Sequence, residues 1–190
     1  MTLKPFITAL VFALPLAASD IALELDPAHT TIEFAVGSTL HTVHGTFKLK
    51  RGAIQFNSET GKASGEIVVD ASSGVSGEDA RDHRMHKEIL ETMRFPDAVF
   101  TADHVTGTLA PQGDSQLDVH GMLLLHGAPH EMTWHFGAKA NAGEVSATTQ
   151  FTIPYVQWGI KNPSNFLLKV KDKVDVTVHA TGHVLEPKAH

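Results

Sequence analysis

Histidine is the side chain with the most chemistry to offer in this sequence, with 13 among 190 residues. Imidazole titrates near neutral pH and suits copper, zinc and nickel as a ligand. Two pairs have the spacing H-x-x-H, His41/His44 and His83/His86. The second pair lies in a stretch with helical patterning, where residues three apart share a face. The first lies in alternating sequence, where residues three apart point to opposite sides of an extended chain. His83 and His86 are therefore the leading candidate metal pair, and a metal-handling or redox-partner protein is the alternative reading. Against it, no H-x-H or HExxH motif is present, and His126 and His130 flank a turn. His120 and His179 alternate outward, opposite apolar positions. Most histidines read as exposed positions of strands and turns.

Other reactive groupings are missing. There is no cysteine, hence no disulfide, thiol nucleophile or thiolate-held metal. No G-x-S-x-G elbow, P-loop or G-x-G-x-x-G occurs. The serines at Ser72–Ser76 suit a turn, and Asp82 beside Arg81 reads as part of a local ion-pair network. No catalytic residue is assigned, no cofactor is required, and the protein is read as a non-enzyme. Fifteen Lys+Arg against 21 Asp+Glu give a net charge of −6 without a basic block, so nucleic acid is not an expected partner.

The elements that must position any site are mostly strands. Ile32, Phe34 and Val36 alternate with Thr31, Glu33 and Ala35, and Val43, Gly45, Phe47 and Leu49 with polar neighbours. Gly52 offers a turn or bulge before Ile54 and Phe56, and Ala63–Ala71 returns as a strand. Alternation resumes over Ala98–Thr106, Leu117–Leu125, Met132–Phe136, Val145–Ile153 and Lys173–Val184. About eight or nine strands with short connections predict an all-β, antiparallel closed barrel, closure being the economical way to remove exposed edges. A sandwich is the second choice. Ser76–Phe95 breaks the pattern: Met85, Ile89 and Met93 recur every fourth residue, Ser76 and Asp79 resemble a capping box, and Pro96 stops the run. One helix inserted between strands, lying across an open end, is predicted there.

Residues 1–19 have a lysine, a short apolar run and small residues at Ala17 and Ser19, the pattern of a cleaved secretory signal peptide. The run is shorter than the roughly 20 residues of a spanning helix. Residues 20–190 are then a single periplasmic domain with no transmembrane segment.

A barrel of about eight strands is just wide enough for one small ligand. The inward aromatic residues Phe34, Phe47, Phe100, Trp134 and Phe151, with Tyr155 and Trp158 and the helical Met85 and Ile89, are the candidate lining of such a site. A barrel filled by its own side chains would instead suit a structural or partner-binding module.

The ordered motifs resemble the YceI-like family, bacterial lipocalin-like proteins that bind polyisoprenoids and similar long-chain lipids. They run from Leu25-Asp-Pro-Ala-His-Thr-Thr-Ile-Glu-Phe34 through Val43-His-Gly-Thr-Phe47 and Gly52-Ala-Ile-Gln-Phe56. Arg81-Asp82 with Met85, then Phe95-Pro96 and Phe100, and His120-Gly-Met-Leu-Leu-Leu-His-Gly127 follow in the family order. The resemblance implies a lipocalin-like barrel with a tunnel for an isoprenoid or fatty-acyl chain, and a protein that transports or sequesters a long-chain amphiphile. One stretch departs: where many relatives read I-x-R-x-D-F-G, this chain has Ile153-Pro-Tyr-Val-Gln-Trp-Gly159, followed by an unusually apolar IKNPSNFLL over Ile160–Leu168. Tyr155 and Trp158 then either stack over a different head group or seal the end. A homodimer through a barrel edge is compatible with such a fold, although no residue argues for it.

Overall fold

The computed structural model describes residues 20–185. The leader assigned to residues 1–19 lies outside them. Nine antiparallel strands fill eight positions around a closed barrel. They are β1 (Asp20–Leu25), β2 (Thr31–Gly37), β3 (Thr42–Asn57), β4 (Ala63–Val75), β5 (Asp97–Gly107), β6 (Gly113–Leu125), β7 (Ala128–Asn141), β8 (Glu144–Ile153) and β9 (Val174–Leu185). Neighbours follow chain order from β4 to β9, then β2 and β3, and pairing of β3 with β4 closes the ring.

The count differs from the ring size because β1 and β2 share one slot. β1 pairs with Ala53–Asn57 of β3 and Gly182–Leu185 of β9, whereas β2 pairs with the opposite halves of the same two strands. The break between them, 26–30, is fixed locally. Asp26 accepts from the Ala28 amide at 2.8 Å and lies 2.6 Å from His29 Nδ1, while the buried Thr30 hydroxyl takes the Thr181 amide at 3.2 Å. The opening D-x-x-H motif is therefore the staple that interrupts a strand. β1 itself escaped the alternation reading, although Ile21, Leu23 and Leu25 carry the period.

Of the two devices open at Gly52, the chain uses a bulge. β3 runs unbroken, and its register against β4 slips between Leu49 and Arg51. The extra residue returns Gly52, Ile54 and Phe56 to the inner face that Leu49 leaves. The helix is shorter than its pattern. An α-turn, α1 (Asp79–Arg84), widens into a π-helical turn over Met85–Ile89. Glu91 then takes a left-handed φ of 46°, which ends the segment before Met93, and Met93 is fully exposed instead of packing inward. Glu78, not Ser76, caps α1, its carboxylate accepting from Ala80 N at 3.1 Å and Arg81 N at 2.9 Å.

Three strand connections sit at one end and four at the other. At one end the β3–β4, β5–β6 and β7–β8 links are short, and Phe56, Val105, Leu109 and Ala140 pack into a floor. At the other end lie the turn 38–41, the helical insertion 76–96 and the connection 154–173, together with the tight His126-Gly127 hairpin. Both residues of that hairpin have positive φ, 51° and 79°, the geometry that a two-residue turn between twisted strands needs.

Candidate ligand tunnel

A cavity of about 660 Å³ occupies the barrel, within the range of ligand pockets. Its walls are inward residues of β1–β9, with Thr30 of the strand break among them, and most of its polar lining gathers at the end bearing the helix: Ser38, His41, Ser76, Glu78, Arg81 and Arg84. His41 and Glu78 are solvent-exposed, so the cavity opens there. We call that end the mouth. An apolar shaft with a polar rim can hold a long hydrocarbon and present a polar group to water.

β7 and β8 pair only over Gly137–Asn141 and Glu144–Thr148, and above that they splay apart. Aromatic rings bridge the divergence. Trp134 stacks on Phe151 at 4.8 Å between ring centres and on Phe100 at 3.9 Å. At the mouth Phe34 packs against Phe47 at 5.2 Å. Gly45 makes room for that pair: a Cβ there would lie 2.3 Å from the Phe34 ring and 2.4 Å from the Val75 carbonyl.

The rim is braced by one polar network. Asp82 accepts the Ser76 amide at 2.9 Å and also the Ser76 hydroxyl, while Arg81 donates through Nε to Ser76 Oγ at 2.7 Å and through Nη2 to Ser76 O at 2.8 Å. Burial opposes ionisation of Asp82, but the Ser76 bonds and nearby cations outweigh it and hold the carboxyl below its usual range. The expected Arg81–Asp82 network is thus mediated by a serine. Glu88 receives Arg84 at 3.5 Å and Lys161 at 3.1 Å, tying the π-turn to the 154–173 connection across the mouth.

Phe34, Phe47, Met85, Ile89, Trp134, Phe151 and Tyr155 all line the cavity. Phe100 and Trp158 do not. Phe100 faces inward but is roofed by Trp134, leaving it 1% exposed in the wall. Trp158 lies flat on His130, with ring centres 3.8 Å apart and planes 7° from parallel. Tyr155 is buried and its hydroxyl donates to Lys171 O at 2.6 Å, with burial raising its pKa. Tyr155 is therefore a wall residue whose hydroxyl is engaged by backbone, and Trp158 packs outside the cavity. The rim arginines were missed by sequence reasoning; their place one turn apart on a helix that closes a barrel was the available signal.

The histidines separate into two groups. His120 bridges Asp103 at 2.6 Å and Glu131 at 3.0 Å on the outer wall, and these two carboxylates raise its pKa. His135 pairs with Asp118 at 2.6 Å, also outside. Others are less exposed than the alternation suggests. His86 Nε2 donates to Gly74 O at 2.8 Å, His126 rests on Phe95, and burial lowers the pKa of His130. His83 is exposed, so the helical pair has one member facing solvent and the other engaged with backbone. Among the described residues, no three His, Cys, Asp or Glu side chains converge as a metal site.

Comparison with known proteins agrees with this architecture. A UPF0312 protein of Vibrio vulnificus (strain YJ016) is 32% identical over 130 residues, covering 66% of this chain and 67% of its own. A UPF0312 protein of Pseudomonas putida (strain KT2440) is 29% identical over 168 residues, covering 82% and 84%. Among solved structures, a polyisoprenoid-binding domain from Saccharophagus degradans superposes with a TM-score of 0.65 at 18% identity, over 87% of this chain and 99% of that one. BcnA of Burkholderia cenocepacia gives 0.68 at 15% identity, over 83% and 98%. At those identities the likeness is one of fold. The family model for the YceI-like domain matches residues 23–182, and the chain belongs to the YceI-like family.

Proposed function

We propose that this protein binds a long-chain amphiphile of polyisoprenoid or fatty-acyl type, with the tail in the barrel and the head group at the mouth. The observation that carries this reading is the segregation within one cavity: aliphatic and aromatic walls along the shaft, with Arg81, Arg84, His41 and Ser76 gathered at the opening. Each CH₂ moved from water to such walls contributes about 0.8 kcal/mol, so a modest length of tail suffices for useful affinity. The polyisoprenoid-binding description of a structural relative supports the same ligand class. Binding is non-covalent, and the protein acts as a carrier or sequestering agent, not an enzyme. With the leader pattern of residues 1–19, its place of action is the periplasm.

The two tryptophans make a direct test. Trp134 lines the tunnel and Trp158 lies outside it on His130. Titration with a prenol or acyl chain bearing a fluorescence quencher is expected to quench Trp158→Phe most, wild type to an intermediate extent because it keeps Trp158, and Trp134→Phe least. Equal quenching of both single-tryptophan variants, or none in either, contradicts the reading.

A further inference from the structure

Two turns form the rim of the mouth opposite the helix, and each pushes its largest apolar residues into solvent. Phe166 and Leu167, at the tip of the 154–173 connection, are 95% and 85% exposed, and Leu40, in the turn after β2, is 77% exposed. These tips are held in place. Asn165 Oδ1 accepts the Leu167 and Leu168 amides at 2.9 and 2.8 Å, and the Asn165 amide donates to Leu168 O. Ser38 staples the other turn through bonds to His41 O and to the Leu40 and His41 amides. A bridge between Ser38 and Val170 and the Thr39 N–Lys169 O bond of 2.9 Å join the two turns into one rim.

Charge is concentrated on the same rim. The chain is acidic, at −6, and has no basic run, yet Lys161, Lys169, Lys171 and Lys173 fall within residues 161–173 against the single acid Asp172. Lys161 is occupied by Glu88, whereas Lys169, Lys171 and Lys173 are exposed and have no ion-pair partner among the described residues. Pro163, Leu168 and Val170 of this connection, with Ser38 and His41 of the other turn, line the cavity itself. The exposed tips, the free lysines and the opening therefore belong to one surface.

We propose that this rim docks onto an anionic lipid bilayer, Phe166, Leu167 and Leu40 entering the headgroup region while Lys169, Lys171 and Lys173 meet lipid phosphates. Lasting membrane contact takes two signals, apolar insertion and basic charge, and this rim carries both. The charge pattern also sets orientation, since the net negative remainder of the molecule is repelled by an anionic surface. Docking in this pose seats the tunnel mouth on the membrane, so that an amphiphile passes between bilayer and barrel without crossing water. That purpose rests on the tunnel reading above, whereas the contact itself does not.

Flotation of the full chain with vesicles of pure phosphatidylcholine, or of equimolar phosphatidylcholine and phosphatidylglycerol, tests the surface. Wild type is expected to partition onto the anionic vesicles at least about tenfold better than onto the neutral ones, with the preference fading as salt rises. Phe166→Asp/Leu167→Asp, at exposed positions, is expected to lower the bound fraction about tenfold while melting as wild type does. Lys169→Glu/Lys171→Glu is expected to remove the preference for anionic lipid. Phe166→Trp keeps binding, and its indole emission shifts to the blue on adding anionic vesicles. Failure of wild type to bind either vesicle overturns the proposal, as does unchanged binding by the aspartate variant. A wild-type dimer that Phe166→Asp dissociates, with no vesicle binding, overturns it in favour of a second copy of the chain. Loading from detergent-dispersed lipid separates the two readings, because it survives loss of docking and fails only if the tunnel reading is wrong.

Discussion

The two ends of the barrel share their strands and differ in their connections. At the floor, short links such as Ala142-Gly143, both with positive φ, let the strands converge, and Phe56, Val105, Leu109 and Ala140 close the space between them. At the mouth, the helical insertion and the 154–173 connection stand across the opening instead of filling it, braced by Ser76, Arg81 and Glu88. The floor therefore serves stability, while in the proposed binding mode the shaft and mouth serve the ligand. Substitutions at the two ends should separate these properties.

The largest effect belongs to the floor. Phe56 is 3% exposed and lies outside the cavity lining, so Phe56→Ala is expected to destabilise by about 3–5 kcal/mol in denaturant melts. Ligand affinity of the folded fraction should stay within about twofold, because the removed ring is not part of the wall. Gly45→Val acts at the mouth. Its side chain collides with the Phe34 ring and the Val75 carbonyl, costing about 1–3 kcal/mol and also weakening lipid binding as Phe34 is displaced. A floor substitution that weakened binding as strongly would break the contrast.

The outer wall gives a smaller, pH-dependent effect. Asp103 and Glu131 raise the pKa of His120 above the ordinary histidine value, so its protonated form is favoured by folding. That contribution is present below the unfolded value and is lost as pH rises through the higher folded value. His120→Gln should therefore melt below wild type at about pH 5.5, and the gap should close as pH rises through the raised folded value. His130 has the opposite sign, since burial lowers its pKa and protonation works against folding as pH falls. Smallest of all, Glu88→Gln should leave Tm unchanged while speeding hydrogen exchange in α1, because an exposed pair braces the rim without holding the fold.

The floor and walls were more legible in the sequence than the mouth. Strand alternation follows from which face is buried, so Phe34, Phe47, Trp134 and Phe151 could be assigned inward without knowledge of their neighbours. What alternation lacks is depth and order along the barrel axis. Phe100 shares the inward phase but lies behind Trp134, a stacking that depends on two strands far apart in sequence. Met93 keeps the helical period, yet Glu91 breaks the helix first, and its left-handed turn had no glycine to announce it. Trp158 and the rim lysines sit in an irregular connection held by side-chain-to-backbone bonds, for which no periodicity exists. The shared slot of β1 and β2 is similar: a strand break is visible at Asp26-Pro27, but not that the chain resumes in line.

If the shaft holds a lipid tail, Ala147→Trp should exclude it. Ala147 is a small, half-buried residue of β8 on the cavity wall, so the indole fills the shaft while rim and floor remain intact. Native mass spectrometry of protein taken from its own host, followed by organic extraction, should find one amphiphile on each wild-type chain. A folded Ala147→Trp protein, checked by its melting curve, is expected to lose that mass increment. A bound amphiphile retained at equal occupancy in the blocked barrel, or found on neither protein, would contradict it.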